Sequence, residues 1–182
     1  MTLFATVDPA HAEPQAKVLL DAVNKKLGVV PNMMRVLASN PVVLGAYLGF
    51  AGALGSGGLG AQLHAQIALT VAEANGCAYC LAAHSVLGQG AGLAPADILG
   101  ARNARGSNVR SSAALKFARS VVAQRGRVSV TELAQARESA LSDADLIEII
   151  AAVAINQFTN YVNLTADTTV DFPPVEKLVN VA

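Results

Sequence analysis

From Val36 to Ala72 the chain carries no Asp, Glu, Lys or Arg. A stretch of this kind must be covered, either by lipid or by protein. The cluster Gly55-Ser56-Gly57-Gly58 interrupts it, because such residues stop a helix. The piece left on its N-terminal side, Val42–Leu54, is too short for a bilayer, which needs about 20 apolar residues. The sequence therefore predicts short, uncharged helices buried in a core or against copies of the same chain, with no membrane span.

The rest of the composition agrees. The chain has 182 residues, 53% hydrophobic and 14% charged, which excludes disorder and suits one domain. Size scaling expects roughly 70% of the unfolded surface to be hidden, enough for a core without staples. Lys plus Arg equals Asp plus Glu, 13 of each, so there is no basic footprint for nucleic acid. Aromatic residues are 4% and Trp is absent, so base-stacking platforms are not expected either. The opening residues MTLFATVDPAHAEPQ show no basic segment followed by an apolar run, so a cytoplasmic, reducing setting is expected.

Helical signals recur along the chain and strand signals do not. Pro14–Leu27 reads as an amphipathic helix stopped by Gly28, and Pro31 and Pro41 open two more, to Ala38 and Leu54. Ala61–Asn75 ends at Gly76, and a further helix runs from about Cys77 to Gln89. Pro95–Ala101 is a short helix, Arg102–Ser111 a polar loop, and Ser112–Gln124 a helix. Ser129-x-x-Glu132 and Ser142-x-x-Asp145 are capping boxes, the second opening a helix over Asp143–Asn163. The expectation is a single all-helical domain over 1–182, with a core of interest at about 61–92 and a C-terminal arm at about 168–182.

The chemistry concentrates in EANGCAYCLAAH, Glu73–His84. Cys77, Cys80 and His84 are spaced three and four apart, which places them on one helical stripe. Gly76 breaks the helix just before, so Cys77 meets free backbone N–H groups and the positive end of the next helix dipole. Both favour a thiolate, the nucleophilic form of cysteine. Two thiols so close can cycle between dithiol and disulfide, one attacking an O–O bond and the other resolving the sulfenic acid. The same spacing also admits two small core residues, or three zinc ligands lacking a fourth. No metal and no cofactor are expected. Tyr79 is either a hydrogen-bonding group near the thiols or a packed ring. Asn156, Asn160 and Asn163 either satisfy a buried interface or line a pocket.

The run QIALTVAEANGCAYCLAAH resembles the signature of the alkylhydroperoxidase D / carboxymuconolactone decarboxylase superfamily. LGVVPNMMRVLASNP before it and INQFTNYVNLTADTTVDFP near the end resemble the longer members, so the likeness spans about residues 14–173. The resemblance implies an all-α, alkylhydroperoxidase D-like helical bundle that assembles as a homo-oligomer, whether dimer, trimer or hexamer. It implies a peroxide substrate and a dithiol reductant, such as a lipoylated or thioredoxin-like protein. By the same resemblance Cys80 is the peroxidatic cysteine, Cys77 the resolving one, and His84 the proton-relay base. Cys77 is expected at an exposed helix terminus, open to a bulky dithiol, and Cys80 deeper, open to a small peroxide.

The family pattern also has a Glu twelve residues before the first Cys, and here that position is Ala65. His64 is its neighbour, but adjacent helical residues point about 100° apart, which makes it a poor substitute. Glu73 is the other carboxylate at hand, and at a helix end it also reads as a solvated charge. The sequence thus predicts a thiol-dependent peroxidase-like oxidoreductase. A non-catalytic redox sensor or scaffold and a carboxymuconolactone decarboxylase-like lyase are the alternatives.

Overall fold

The computed structural model describes residues 2–176 and 178. Nine helices form among them and no strand: α1 (Pro14–Leu27), α2 (Asn32–Leu37), α3 (Pro41–Leu54), α4 (Gly60–Ala74), α5 (Ala78–Gly90), α6 (Pro95–Arg102), α7 (Val109–Ala123), α8 (Val130–Glu138) and α9 (Asp143–Ala166). No helix among the described residues is long and apolar enough to cross a membrane.

Helix α4 is the axis of the bundle and packs against α5, α6, α7 and α9. Its apolar sequence makes this feasible, since Leu63, Ile67, Ala68, Leu69, Val71 and Ala72 are all buried. Its buried Thr70 is tied off. The Thr70 hydroxyl lies 2.7 Å from the Ala101 carbonyl of α6, which spares a desolvated hydroxyl the cost of having no partner.

The capping boxes form as the sequence predicts, Ser129 with Glu132 and Ser142 with Asp145. Helix α7 begins three residues before the expected Ser112, because Asn108 Oδ1 accepts the Ser111 N–H at 2.8 Å and starts the helix inside the expected loop. Helix α9 runs one turn past Asn163 and stops where Asp167 takes a left-handed φ of 47°.

The segment after α9 lies back on the bundle. Asp171 accepts the Asn32 N–H at 2.7 Å, and Phe172 meets Tyr79 edge-on with centroids 5.7 Å apart. The buried Arg102 guanidinium donates to the Glu176 carbonyl at 2.8 Å. Of the expected arm, residues 177 and 179–182 lie outside the described residues.

Candidate active site

The turn between α4 and α5 is built by Gly76, whose φ of +64° is readily accessible only to glycine. The Cys77 N–H reaches back to the Ala72 carbonyl at 3.0 Å and the Gly76 N–H to the Glu73 carbonyl at 3.1 Å. This is a Schellman ending, and it delivers Cys77 to the N-cap of α5. From there Cys77 Sγ accepts the Cys80 N–H at 3.3 Å, so the sulfur sits against free backbone donors at the positive helix end. Cys77 and Cys80 are joined as a disulfide, with Cα atoms 5.3 Å apart.

The expected exposure of Cys77 does not hold. Cys77 is 1% exposed and Cys80 2%. An N-cap is an open position only when nothing covers it, and here α5 packs against α4 and α9, with Asn163 of α9 on Cys80. The two sulfurs are distinguished by what they face. Cys80 lines a cavity of about 180 Å3. Its other walls include Pro31, Met33, Met34, Tyr47, Val86 and Phe172, and they are mostly apolar. Cys77 is not among the residues lining it.

His84, one turn after Cys80, lines this cavity and also a second one of about 310 Å3. Tyr47, Leu87 and Thr159 are shared in the same way, so His84 stands in the wall between two adjoining spaces. Burial pushes its imidazole down to about 4, partly opposed by the hydrogen bond to the Asn156 side chain. The ring is therefore neutral near pH 7. Asn156 spends its amide nitrogen on the Ala152 carbonyl at 2.8 Å, which leaves its oxygen to receive a ring N–H of His84 and fix the tautomer.

Helix α9 supplies a second contact, and this one reaches the sulfur itself. Asn163 is buried, and its Nδ2 donates to Cys80 Sγ at 3.3 Å. Its neighbour Asn160 accepts from Asn75 at 2.8 Å, and Asn75 also donates to Gln157 at 2.8 Å. The polar punctuation of α9 thus serves both earlier readings. Asn156 lines the larger of these two cavities, Asn160 holds α9 to the end of α4, and Asn163 meets the Cys80 sulfur.

Tyr79 is a buried ring that lines the Cys80 cavity, and its hydroxyl accepts the Met33 N–H at 3.1 Å. Burial raises its hydroxyl above the ordinary tyrosine range, so it is not an acid–base group near neutrality. Glu73 lies away from both cavities. Its carboxylate pairs with Arg102 Nε at 2.6 Å, and Arg102 is nearly sealed, so the pair anchors α4 to α6 and the tail. His64 lines the larger cavity beside Ala65 and bonds Glu148 of α9 through Nε2 at 2.9 Å. Sequence reasoning did not single out Glu148. Its signal was a lone acid between Leu146-Ile147 and Ile149-Ile150 in an otherwise apolar stretch. No group of three or more His, Cys, Asp or Glu among the described residues could hold a metal ion.

The structure can be set beside known proteins at this point. It matches an uncharacterized peroxidase-related protein from Ralstonia eutropha JMP134 with an alkylhydroperoxidase AhpD core, at TM-score 0.84 and 23% identity over 93% of this chain and 92% of that one. A peroxidase-related protein from Silicibacter sp. TM1040 gives TM-score 0.80 and 21% identity over 96% and 92%. The debrominase Bmp8, seen in complex with 2,3,4-tribromopyrrole, gives 0.80 and 23% over 94% and 92%. No curated protein matches the chain significantly in sequence. Residues 41–124, from the start of α3 to just past α7, match the carboxymuconolactone decarboxylase family. By that match and this fold, the chain is similar to the alkylhydroperoxidase D / carboxymuconolactone decarboxylase superfamily.

Proposed function

We propose that the chain is a thiol-dependent peroxidase that reduces hydroperoxides through Cys80 and Cys77. The observation that carries this reading is Cys80 itself. It is disulfide-bonded to a helix-cap cysteine, hydrogen-bonded by Asn163, and lines an apolar cavity together with His84.

In the reduced state the Cys80 thiolate attacks the terminal oxygen of ROOH. An S–O bond forms, the O–O bond breaks, and RO⁻ leaves and takes up a proton as ROH. Cys80 is now a sulfenic acid. The Cys77 thiolate attacks that sulfur, hydroxide leaves and is protonated to water, and the disulfide forms. A dithiol reductant then supplies two electrons and two protons by exchange. Neutral His84 accepts the Cys80 proton at the start and returns it to the departing alkoxide. The apolar walls favour an organic substituent on the peroxide over hydrogen peroxide, because they offer it few polar partners.

The chain acts here as a homo-oligomer in the cytoplasm. The test is a coupled assay of organic hydroperoxide and hydrogen peroxide with several dithiol donors, alongside thiol titration. Sustained turnover abolished in Cys80→Ser supports the enzyme. Loss of two thiols per chain, once only, would make the pair a redox sensor instead.

A further inference from the structure

We propose that His64, held by Glu148, is the proton store of this site and stands in for the carboxylate that Ala65 replaces. The inference rests on the peroxidase reading above and adds to it a group from α4 and a group from α9.

Two independent features of the chain converge on the Glu148 carboxylate. Besides His64 it accepts the Gly58 N–H at 2.9 Å and the Leu59 N–H at 3.1 Å. Gly57 leaves room for it, since a Cβ at that position would collide with the carboxyl group. The glycine cluster between α3 and α4 is thus a cradle for one acid as well as a helix stop. Burial works against the charge of Glu148, but the Leu59 amide, His64 and the Gly58 amide together hold it below the usual carboxylate range. It is an anion placed to accept an imidazolium at Nε2.

His64 and His84 line the same 310 Å3 cavity, which has room for several water molecules at about 30 Å3 each. The two rings are joined for proton transfer by water hydrogen-bonded through that space. Neighbouring positions on α4 differ by about 100°, yet both Ala65 and His64 reach this space. The long imidazole makes up the angle that a short side chain could not.

The proton has a reason to move this way. His84 sits where burial disfavours a charge, so an imidazolium there is short-lived. His64 has a carboxylate beside it. The Cys80 S–H bond breaks, His84 takes the proton, and it passes through the cavity to His64 as His84 returns to neutral. When RO⁻ leaves, the proton travels back by His84 to give ROH. No electron pair or proton is left over. The titratable groups facing His64 are Glu148 from α9, His84 from α5 and Tyr47 from α3. Tyr47 is pushed above its ordinary range by burial and stays protonated.

The test uses pre-reduced protein mixed with an organic hydroperoxide, following thiol loss over a range of pH. The variants are His64→Gln, Glu148→Gln, His64→Gln with Ala65→Glu, and Cys80→Ser as the dead control. Glu148→Gln removes the charge and keeps one oxygen, enough for one of the two backbone amides, which donate to different carboxylate oxygens. The expected results are a 10-fold or greater loss in His64→Gln, on the order of general acid–base effects. Glu148→Gln should lose less and change the shape of the pH profile. Ala65→Glu should restore part of the rate. A wild-type rate and profile in His64→Gln would overturn the store while leaving the peroxidase intact. A slow His64→Gln with no recovery from Ala65→Glu would reduce the pair to a clamp between α4 and α9. If wild-type protein loses no thiols to peroxide, the peroxidase reading falls and the store falls with it.

Discussion

The amide nitrogen of Asn163 donates to the sulfur of Cys80 at 3.3 Å, across 83 residues of sequence. Its oxygen is buried with no hydrogen-bond partner among the described residues, so the side chain is held chiefly by that sulfur. A hydrogen bond to a charged group is worth about 1.5–3 kcal/mol, and one pKa unit is about 1.4 kcal/mol. Asn163→Ala should therefore make the reduced Cys80 thiol harder to ionise and slow its reaction with peroxide near neutrality. Thiolate absorbance against pH measures the first, and single-turnover oxidation the second. An unshifted titration would show that the contact orients α9 without stabilising the anion.

The two cysteines have unequal surroundings, and this gives a second prediction. Cys80 lines the apolar cavity and Cys77 does not, while the Cys77 sulfur caps the start of α5. Cys80→Ser should abolish peroxide consumption. Cys77→Ser should still react once and then stall as a sulfenic acid, which a dimedone-type reagent traps. Equal trapping in both single variants would remove the division of labour.

Acid should loosen this protein through His84. Its ring titrates near 4 in the fold, lowered by burial, against about 6.5 in an unfolded chain. The unfolded state therefore binds more protons between those values, and the stability gained by keeping the ring neutral is present above about pH 6.5 and lost as pH falls toward 4. Glu148 adds in the same direction, since its lowered carboxyl also favours the fold only while ionised. Urea melts from pH 7 down to 4 should show the slope, and His84→Gln, which is neutral throughout, should flatten part of it. An identical slope in that variant would place the acid sensitivity elsewhere.

Much of this was legible in the sequence for local reasons. Proline at N1, glycine after a helix and Ser-x-x-acid boxes act within a turn, and helices α1, α3, α8 and α9 begin where those signals put them. The Cys77, Cys80, His84 stripe is likewise local. Hidden were the groups that α9 brings from far along the chain. Glu148 reaches His64 and Asn163 reaches Cys80 only through tertiary packing. The expected exposure of Cys77 failed for the same reason, because helix-end exposure is set by what packs over the end. Glu73 read as a solvated charge until Arg102, from another helix, met it.

The last prediction concerns surface. On α3 Val42 is 69% and Phe50 42% exposed, and on α9 Ile147 is 67% and Tyr161 57% exposed. The two helices are neighbours, with Tyr47 and Phe158 rings 6.4 Å apart. Helix α3 has no charged residue at all. Exposed apolar residues on two neighbouring helices invite association, and closed symmetric assemblies are its common solution. The protein should run in light scattering at a multiple of 18.6 kDa. Phe50→Glu or Tyr161→Glu, each placing a charge on that face, should shift it to smaller species with the helical content intact. A wild-type chain that stays monomeric at high concentration would show that the face tolerates water, and the uncharged α3 would then need another explanation.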